Sequence, residues 1–274
     1  LKRQYYFISG LPRSGSTLTA AILKQNPRFH ASMSGPIAGL FEGMISQVSA
    51  GTEMASMVTA EQRKRLLQGL FESYYSENKE ELIFDTNRSW TAKLPALLSV
   101  FPYTKVICLV RDVAWIMDSM ERQFRNNPFE NTRIFANAQQ RATVYSRVEA
   151  MANANGLVGY AWHALREACY SDYADRLMLV DYDLLVARPE EVFRLIYSFL
   201  EEDYFEHNFS DVSYDAPAFD ANLGMDGLHR VHKTVTVRKR KTILPPDIFK
   251  EHSSKSFWRS MKNSAARIIE PDSN

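Results

Sequence analysis

The segment GLPRSGST, residues 10–17, places two glycines, one guanidinium and three hydroxyls within eight positions. It follows an apolar run and precedes a helical pattern. In such a strand-to-helix turn the backbone N–H groups converge on one spot, and the positive end of the helix dipole adds to them. Gly10 and Gly15 let the chain approach an anion with no Cβ in the way. Arg13 can fork onto phosphate or sulfate oxygens. Ser14, Ser16 and Thr17 add hydroxyl donors. A loop built for nucleoside triphosphates carries a lysine directly after its second glycine. Here Ser16 occupies that place, which disfavours ATP or GTP chemistry. The alternative is a serine-capped turn that holds no ligand.

A second candidate lies after the apolar run Lys105 to Val110, where Arg111, Asp112 and a helical segment containing Ser119 follow. The carboxyl ends of strands are where open α/β sheets bind ligands. A guanidinium there offers bidentate phosphate binding that lysine cannot copy. The alternative for Arg111 is a surface ion pair with Asp112 or Asp118. A third candidate is the stretch from Phe84 to Trp90, in which Asp85 reads either as a proton acceptor or as a turn residue. Further on, residues 229–241 form a basic run without nearby acids. Arg230, Lys233, Arg238 and Lys239 are its candidates for anion contacts. Nucleic-acid binding by that run lacks the aromatic interleaving that base stacking requires.

The elements that must position these residues are legible as short apolar runs separated by helical patterns. Tyr5 to Ile8, Leu82 to Phe84, Lys105 to Val110 and Leu177 to Val180 suit buried parallel strands. Thr17 to Gln25, Thr59 to Glu77 and the segment opened by Pro189 suit helices, with Thr59 and Gln62 spaced as a capping box. Val113, Ile116, Met117 and Met120 share one helix face. Alternating strands and helices imply an α/β fold with a parallel sheet covered on both faces. Residues 131–173 read as an inserted helical lobe. Residues 210–244, with Gly224 and Gly227, read as a long loop within a single domain spanning 1–274.

Composition sets outer bounds. The chain has 274 residues, 45% hydrophobic and 24% charged, with a formal net charge of +1. That balance argues against a uniformly basic nucleic-acid binder. Two cysteines, Cys108 and Cys169, are too few for a disulfide framework and read as buried thiols. No His or Cys cluster has metal-ligand spacing. No run of about 18 apolar residues is present, and no secretory leader pattern is visible. A cytoplasmic protein that contacts neither membrane nor nucleic acid is the resulting expectation.

The GLPRSGST loop resembles the 5′-phosphosulfate loop of sulfotransferases that use 3′-phosphoadenosine 5′-phosphosulfate (PAPS), especially their bacterial and tyrosylprotein branches. Arg111 with Ser119 eight residues later matches that family's 3′-phosphate motif. The segment from Arg176 to Leu200 is similar to the family's next strand, turn and Pro-opened helix, and Tyr182 falls where relatives place a tyrosine near the adenine. The matching segments cover about residues 4–27, 82–123 and 176–200. The resemblance implies a P-loop-like three-layer parallel sheet with a helical insertion. It implies PAPS as co-substrate, no metal, and transfer to a hydroxyl or amine of a small-molecule or peptide acceptor. It also implies that the C-terminal basic loop closes over the donor. The alternatives are a nucleotide kinase or triphosphatase that has lost its lysine, and a catalytically silent nucleotide-binding protein.

Two departures concern the base that takes the acceptor's proton. The tyrosylprotein branch has a Glu where alignment through Asn26 and Pro27 puts Met33 or Ser34. The cytosolic branch has a His where this chain has Asn87, and a neighbouring lysine is missing as well. Asp85 is then the candidate base, and Arg88 the candidate replacement for the lysine on the bridging oxygen. His30, Glu42, His229 and His232 are weaker base candidates.

Overall fold

The computed structural model describes residues 3–49, 51, 53–127, 129, 132, 134–237 and 240–269. Arg238 and Lys239 of the basic run lie outside the described residues. Six strands, β1 (Gln4–Gly10), β2 (Phe29–Ala31), β3 (Leu82–Thr86), β4 (Val106–Val110), β5 (Leu177–Asp181) and β6 (Arg267–Ile269), form one sheet. Their order is β2-β3-β1-β4-β5-β6 and every pairing is parallel. The sequence pattern misses β2 and β6. Each has three residues, too few to show a period of two. β1 to β5 carry near-continuous apolar side chains because both sides of the sheet are covered.

Twelve α-helices follow in chain order: α1 (Ser16–Leu23), α2 (Ile37–Val48), α3 (Ala60–Tyr74), α4 (Leu94–Val100), α5 (Val113–Asn126), α6 (Ala138–Ala142), α7 (Val144–Ala152), α8 (Leu157–Cys169), α9 (Tyr182–Ala187), α10 (Pro189–Leu200), α11 (Pro217–Asn222) and α12 (Pro246–Ser253). One apolar cluster packs Tyr5, Phe7, Ile83 and Cys108 against α2, α3, α5 and α8. The other packs Tyr6, Ile8, Phe84 and Leu109 against α1 and α10. Alternate strand residues thus feed opposite layers, giving three layers in all. The capping box at Thr59 forms as the spacing predicts. Gln62 N–H donates to the Thr59 hydroxyl at 3.2 Å, and Thr59 N–H donates to the Gln62 amide oxygen at 2.8 Å.

β1 is flanked by β3 on one side and β4 on the other. The chain therefore leaves β1 toward one edge and later returns to build the other. The carboxyl ends of β1 and β4 mark this topological switch point, where a crevice opens. Both predicted anion sites stand there. At its floor β1 and β4 approach closely: a Cβ on Gly10 would lie 2.2 Å from the Leu109 carbonyl oxygen.

The inserted lobe is three helices, α6 to α8, rather than one continuous helix. Thr143 closes α6 and caps α7, and Asn153 to Gly156 turn the chain into α8. Its anchor is a buried ion pair. Arg147 on α7 donates to both oxygens of the fully buried Glu121 on α5, at 2.7 and 2.8 Å. The Arg147 guanidinium also lies 4.0 Å from the centroid of the Phe124 ring.

The described parts of the predicted loop 210–244, residues 210–237 and 240–244, form a strap across the sheet's carboxyl edge and include α11. Its two arms run antiparallel: Val212 N–H donates to Lys233 O at 2.7 Å, Val231 N–H to Tyr214 O at 2.9 Å, and Val235 N–H to Phe209 O at 3.0 Å. Val212, Val231 and Val235 pack on the α1/α10 layer. Met225, Leu228 and Leu244 pack on the opposite layer. The strap therefore passes over the crevice between them.

Asp85 differs from its expected role. It lies within β3, 1% exposed, with its carboxylate in the core rather than in the crevice. Tyr75 Oη donates to one oxygen at 2.5 Å and Trp90 Nε1 to the other at 2.7 Å. Burial pushes its pKa up to about 6 against the pull of those two donors. A base must reach the proton it removes, so Asp85 is corrected here to a structural residue. It ties the turn that carries Arg88 to the end of α3.

Two outcomes follow. Arg147→Ala leaves Glu121 buried beside Arg125 alone and should cost about 3–5 kcal/mol, read as a lower urea midpoint. For Asp85 the folded pKa exceeds the ordinary value of 3.8. The folded chain therefore binds more protons between about pH 4 and pH 6, and stability falls as pH rises through that window. Urea titrations should show wild type losing up to about 3 kcal/mol relative to Asp85→Asn across it. Parallel pH curves would refute the assignment.

Candidate functional site

The loop after β1 is built to receive an anion. Gly10, Arg13 and Gly15 all have positive φ, at 101°, 59° and 98°. This alternation turns successive N–H groups toward one side. α1 starts at Ser16 with no side-chain cap and no acid in its first turn, so its first N–H groups are left for an external acceptor. Ser14 is fully buried, and its hydroxyl donates to Pro12 O at 3.4 Å. Ser16 and Thr17 are half-buried on the first turn.

Arg13 does not point away from the crevice. Its Nε donates to Ser119 Oγ at 3.1 Å, and Nη1 donates to the Leu228 carbonyl of the strap. Burial first, then the charges of Arg111 and Arg240, lower its pKa to about 10. Arg111 leaves the end of β4 and donates from Nη1 to Arg13 O at 3.4 Å. Its guanidinium lies 4.3 Å from the centroid of the Tyr182 ring, a cation–π distance. Its buried Nε has no hydrogen-bond partner. A buried donor without an acceptor is costly unless a ligand supplies one. The alternative for Arg111, a surface ion pair with Asp112 or Asp118, does not form. Asp112 caps α5 at Ala114 N–H, 2.9 Å away, and Asp118 has other partners.

Tyr182 opens α9 beyond the end of β5. A Cβ on Gly15 would stand 2.9 Å from its Cδ2. The ring thus rests on the loop glycine and reaches Arg111 on its other contact. Arg13, Ser14, Gly15, Ser16, Thr17, Arg111, Ser119 and Tyr182 are brought to one crevice, although they come from three separate stretches of chain.

The basic run behaves differently from the expectation. Lys233 is exposed and ion-paired to Asp211 at 3.6 Å, and Arg230 donates to Asp215 at 3.2 Å. Both are held on the strap's outer side, because its own antiparallel arm supplies acids that the linear run lacks. Arg240, which the sequence reading passed over, is partly exposed but meets a buried carboxylate. It bonds Asp118 at 2.9 Å and lies 5.4 Å from the Trp115 ring centroid. Burial lowers its pKa, and Arg111 is among the charges acting on it. Fully buried Asp118 is the hub. It accepts from Arg122 Nε at 2.9 Å, from Thr242 Oγ1 at 3.1 Å and from Ile243 N–H at 2.8 Å as well. The position of Asp118 directly before Ser119 was the only available signal. A buried aspartate there clamps the strap beside the proposed phosphate serine.

Arg88 stands after β3 with its surface accessible, while the protein around it lowers its pKa by desolvation. Among the described residues no group of three or more His, Cys, Asp or Glu side chains is placed to hold a metal. No helix among them is long and apolar enough to cross a membrane.

This geometry agrees with the comparisons. The sulfotransferase family model matches residues 6–206. The sulfotransferase domain of the Synechococcus PCC 7002 olefin synthase superposes with a TM-score of 0.51 at 18% identity, covering 92% of this chain and 93% of that one. The sulfotransferase domain from the curacin biosynthetic pathway gives 0.56 at 16% identity, covering 93% and 97%. At such identities the likeness is one of fold. Comparison with curated protein sequences returned no match. A lysine-free phosphate loop after β1, an arginine–serine pair after β4 and a family match over most of the chain converge on one conclusion: the chain belongs to the sulfotransferase family.

Proposed function

We propose that the protein transfers a sulfuryl group from PAPS to a hydroxyl or amine of a small-molecule or peptide acceptor, releasing 3′-phosphoadenosine 5′-phosphate (PAP). The observation that carries this reading is the convergence of Arg13, Arg111 and Arg240 on one crevice. Like charges that close repel: after burial, Arg111 and Arg240 lower the pKa of Arg13, and Arg111 lowers that of Arg240. Asp118 binds Arg240 and Arg122, and the hydrogen bonds of Arg13 and Arg111 go to a hydroxyl and to backbone carbonyls rather than to a carboxylate. An anionic ligand relieves that repulsion and gives the orphaned Arg111 Nε an acceptor.

The residues divide naturally between two anionic groups. The loop and the uncapped start of α1 take the 5′-phosphosulfate through backbone N–H groups and the hydroxyls of Ser16 and Thr17. Arg111 and Ser119 take the 3′-phosphate, with Arg240 adding charge from the strap. Tyr182 offers a ring face beside them for a base. Arg88, in the turn after β3, is assigned the stabilisation of charge near the transferred group. Sulfuryl transfer resembles phosphoryl transfer in needing alignment and charge stabilisation more than covalent help from the protein. The strap supplies closure, since Leu228 already touches Arg13.

Calorimetry on Arg111→Ala provides the test. PAP binding should weaken by about 2–3 kcal/mol, as for loss of a charge-assisted contact to a buried phosphate. Adenosine 5′-phosphosulfate lacks the 3′-phosphate, so its affinity should change much less. Equal losses for both ligands, or a wild-type preference for Mg·ATP over PAP, would overturn the reading.

A further inference from the structure

The two positions at which relatives carry a base hold Met33 or Ser34 and Asn87, and Asp85 is sealed in the core. One His–carboxylate pair stands at the crevice instead. His229 lies on the strap directly after Leu228, whose carbonyl accepts from Arg13. Its Nδ1 is 2.5 Å from Asp220 Oδ1, and its backbone N–H donates to Asp220 Oδ2 at 2.9 Å. Asp220 is 0% exposed and sits within α11. A carboxylate accepts, so Nδ1 carries the hydrogen and Nε2 keeps its lone pair. The edge of the Phe219 ring, 5.4 Å between centroids, limits rotation of the imidazole. The side chain is 19% exposed, which leaves the ring reachable.

Hydrogen bonds hold this part of the strap between the loop after β1 and the segment where the tyrosylprotein branch has its Glu. Leu228 O, next to His229, accepts from Arg13. Val231 N–H, two residues beyond His229, donates to Tyr214 O at 2.9 Å, and the Tyr214 hydroxyl accepts from Met33 N–H at 3.4 Å. The strap therefore brings a base to the region that has lost one.

We infer that His229 is the general base of the transfer and that Asp220 is its positioning residue. This rests on the PAPS reading above. The acceptor oxygen forms a bond to sulfur while the bond from sulfur to the 5′-phosphate oxygen breaks. The electron pair of that bond stays on the phosphate oxygen of departing PAP. The acceptor's proton passes to Nε2 of His229 and then to solvent. Asp220 holds the tautomer and stabilises the transient imidazolium. Carrying the base on the strap links proton removal to closure over the donor.

The experiment measures sulfate transfer from labelled PAPS to water, to a simple alkanol and to a tyrosine peptide, together with PAP affinity by calorimetry. His229→Asn should lower kcat about 10²–10⁴-fold and leave the PAP Kd within about twofold. Added imidazole should restore part of the activity of His229→Ala. Asp220→Asn should lower kcat with PAP affinity kept, and imidazole should not rescue it. Wild-type turnover matched by His229→Asn would overturn this inference alone. Parallel loss of PAP affinity without imidazole rescue would also overturn it, showing that the pair only holds the strap. A wild-type chain that binds PAP but transfers sulfate to none of the three probes would refute both the inference and the transferase reading.

Discussion

Repulsion among guanidiniums organises this molecule's working end. Arg13 and Arg111 leave neighbouring strands at the same level, and their separation is set by β1 and β4 pairing in register from Phe7–Val106 to Gly10–Leu109. Neither finds a carboxylate among its hydrogen-bond partners. Arg13 spends its donors on a hydroxyl and a carbonyl, and Arg111 has one donor left over. Such an arrangement is unfavourable in the free protein and favourable around a polyanion.

The scaffold can hold that arrangement because the apolar layers on either side are independent of it. The phosphate loop needs Gly10 against the Leu109 carbonyl and Gly15 against the Tyr182 ring. Buried carboxylates do the remaining fastening, each with several donors: Asp118 fastens the strap, Glu121 the helical lobe, Asp85 the turn bearing Arg88, and Asp220 the imidazole of His229. A buried acid with several partners is weak evidence of stability but good evidence of a specified geometry. Their placement around the crevice matches a site whose walls come from distant parts of the chain.

The chain's own residues announced its candidate anion site far better than any acceptor chemistry. GLPRSGST and the Arg111–Ser119 spacing are local patterns, each contained in one strand-turn-helix unit, so they survive being read linearly. The strap is non-local. Its basic residues look equivalent in sequence, but folding pairs Lys233 with Asp211 and Arg230 with Asp215 and leaves Arg240 facing Asp118. Asp85 misled for the same reason. At a strand's carboxyl end it reads as a crevice residue, yet alternation along β3 turns it to the layer that holds Tyr75 and Trp90.

Composition and periodicity by themselves determined a parallel α/β sheet, its central strands, the loop that follows β1 and the arginine that follows β4. Those features depend on interactions within a few residues, and a single sequence records them directly. Tertiary structure alone decided the three-residue strands β2 and β6, the division of the lobe into three helices, and which charges meet. The strand pairings and the meetings at the strap depend on partners far along the chain, as with Phe29 and Leu82, Arg13 and Ser119, or Asp118 and Thr242. No linear pattern encodes which of several equivalent side chains will be delivered to the same point.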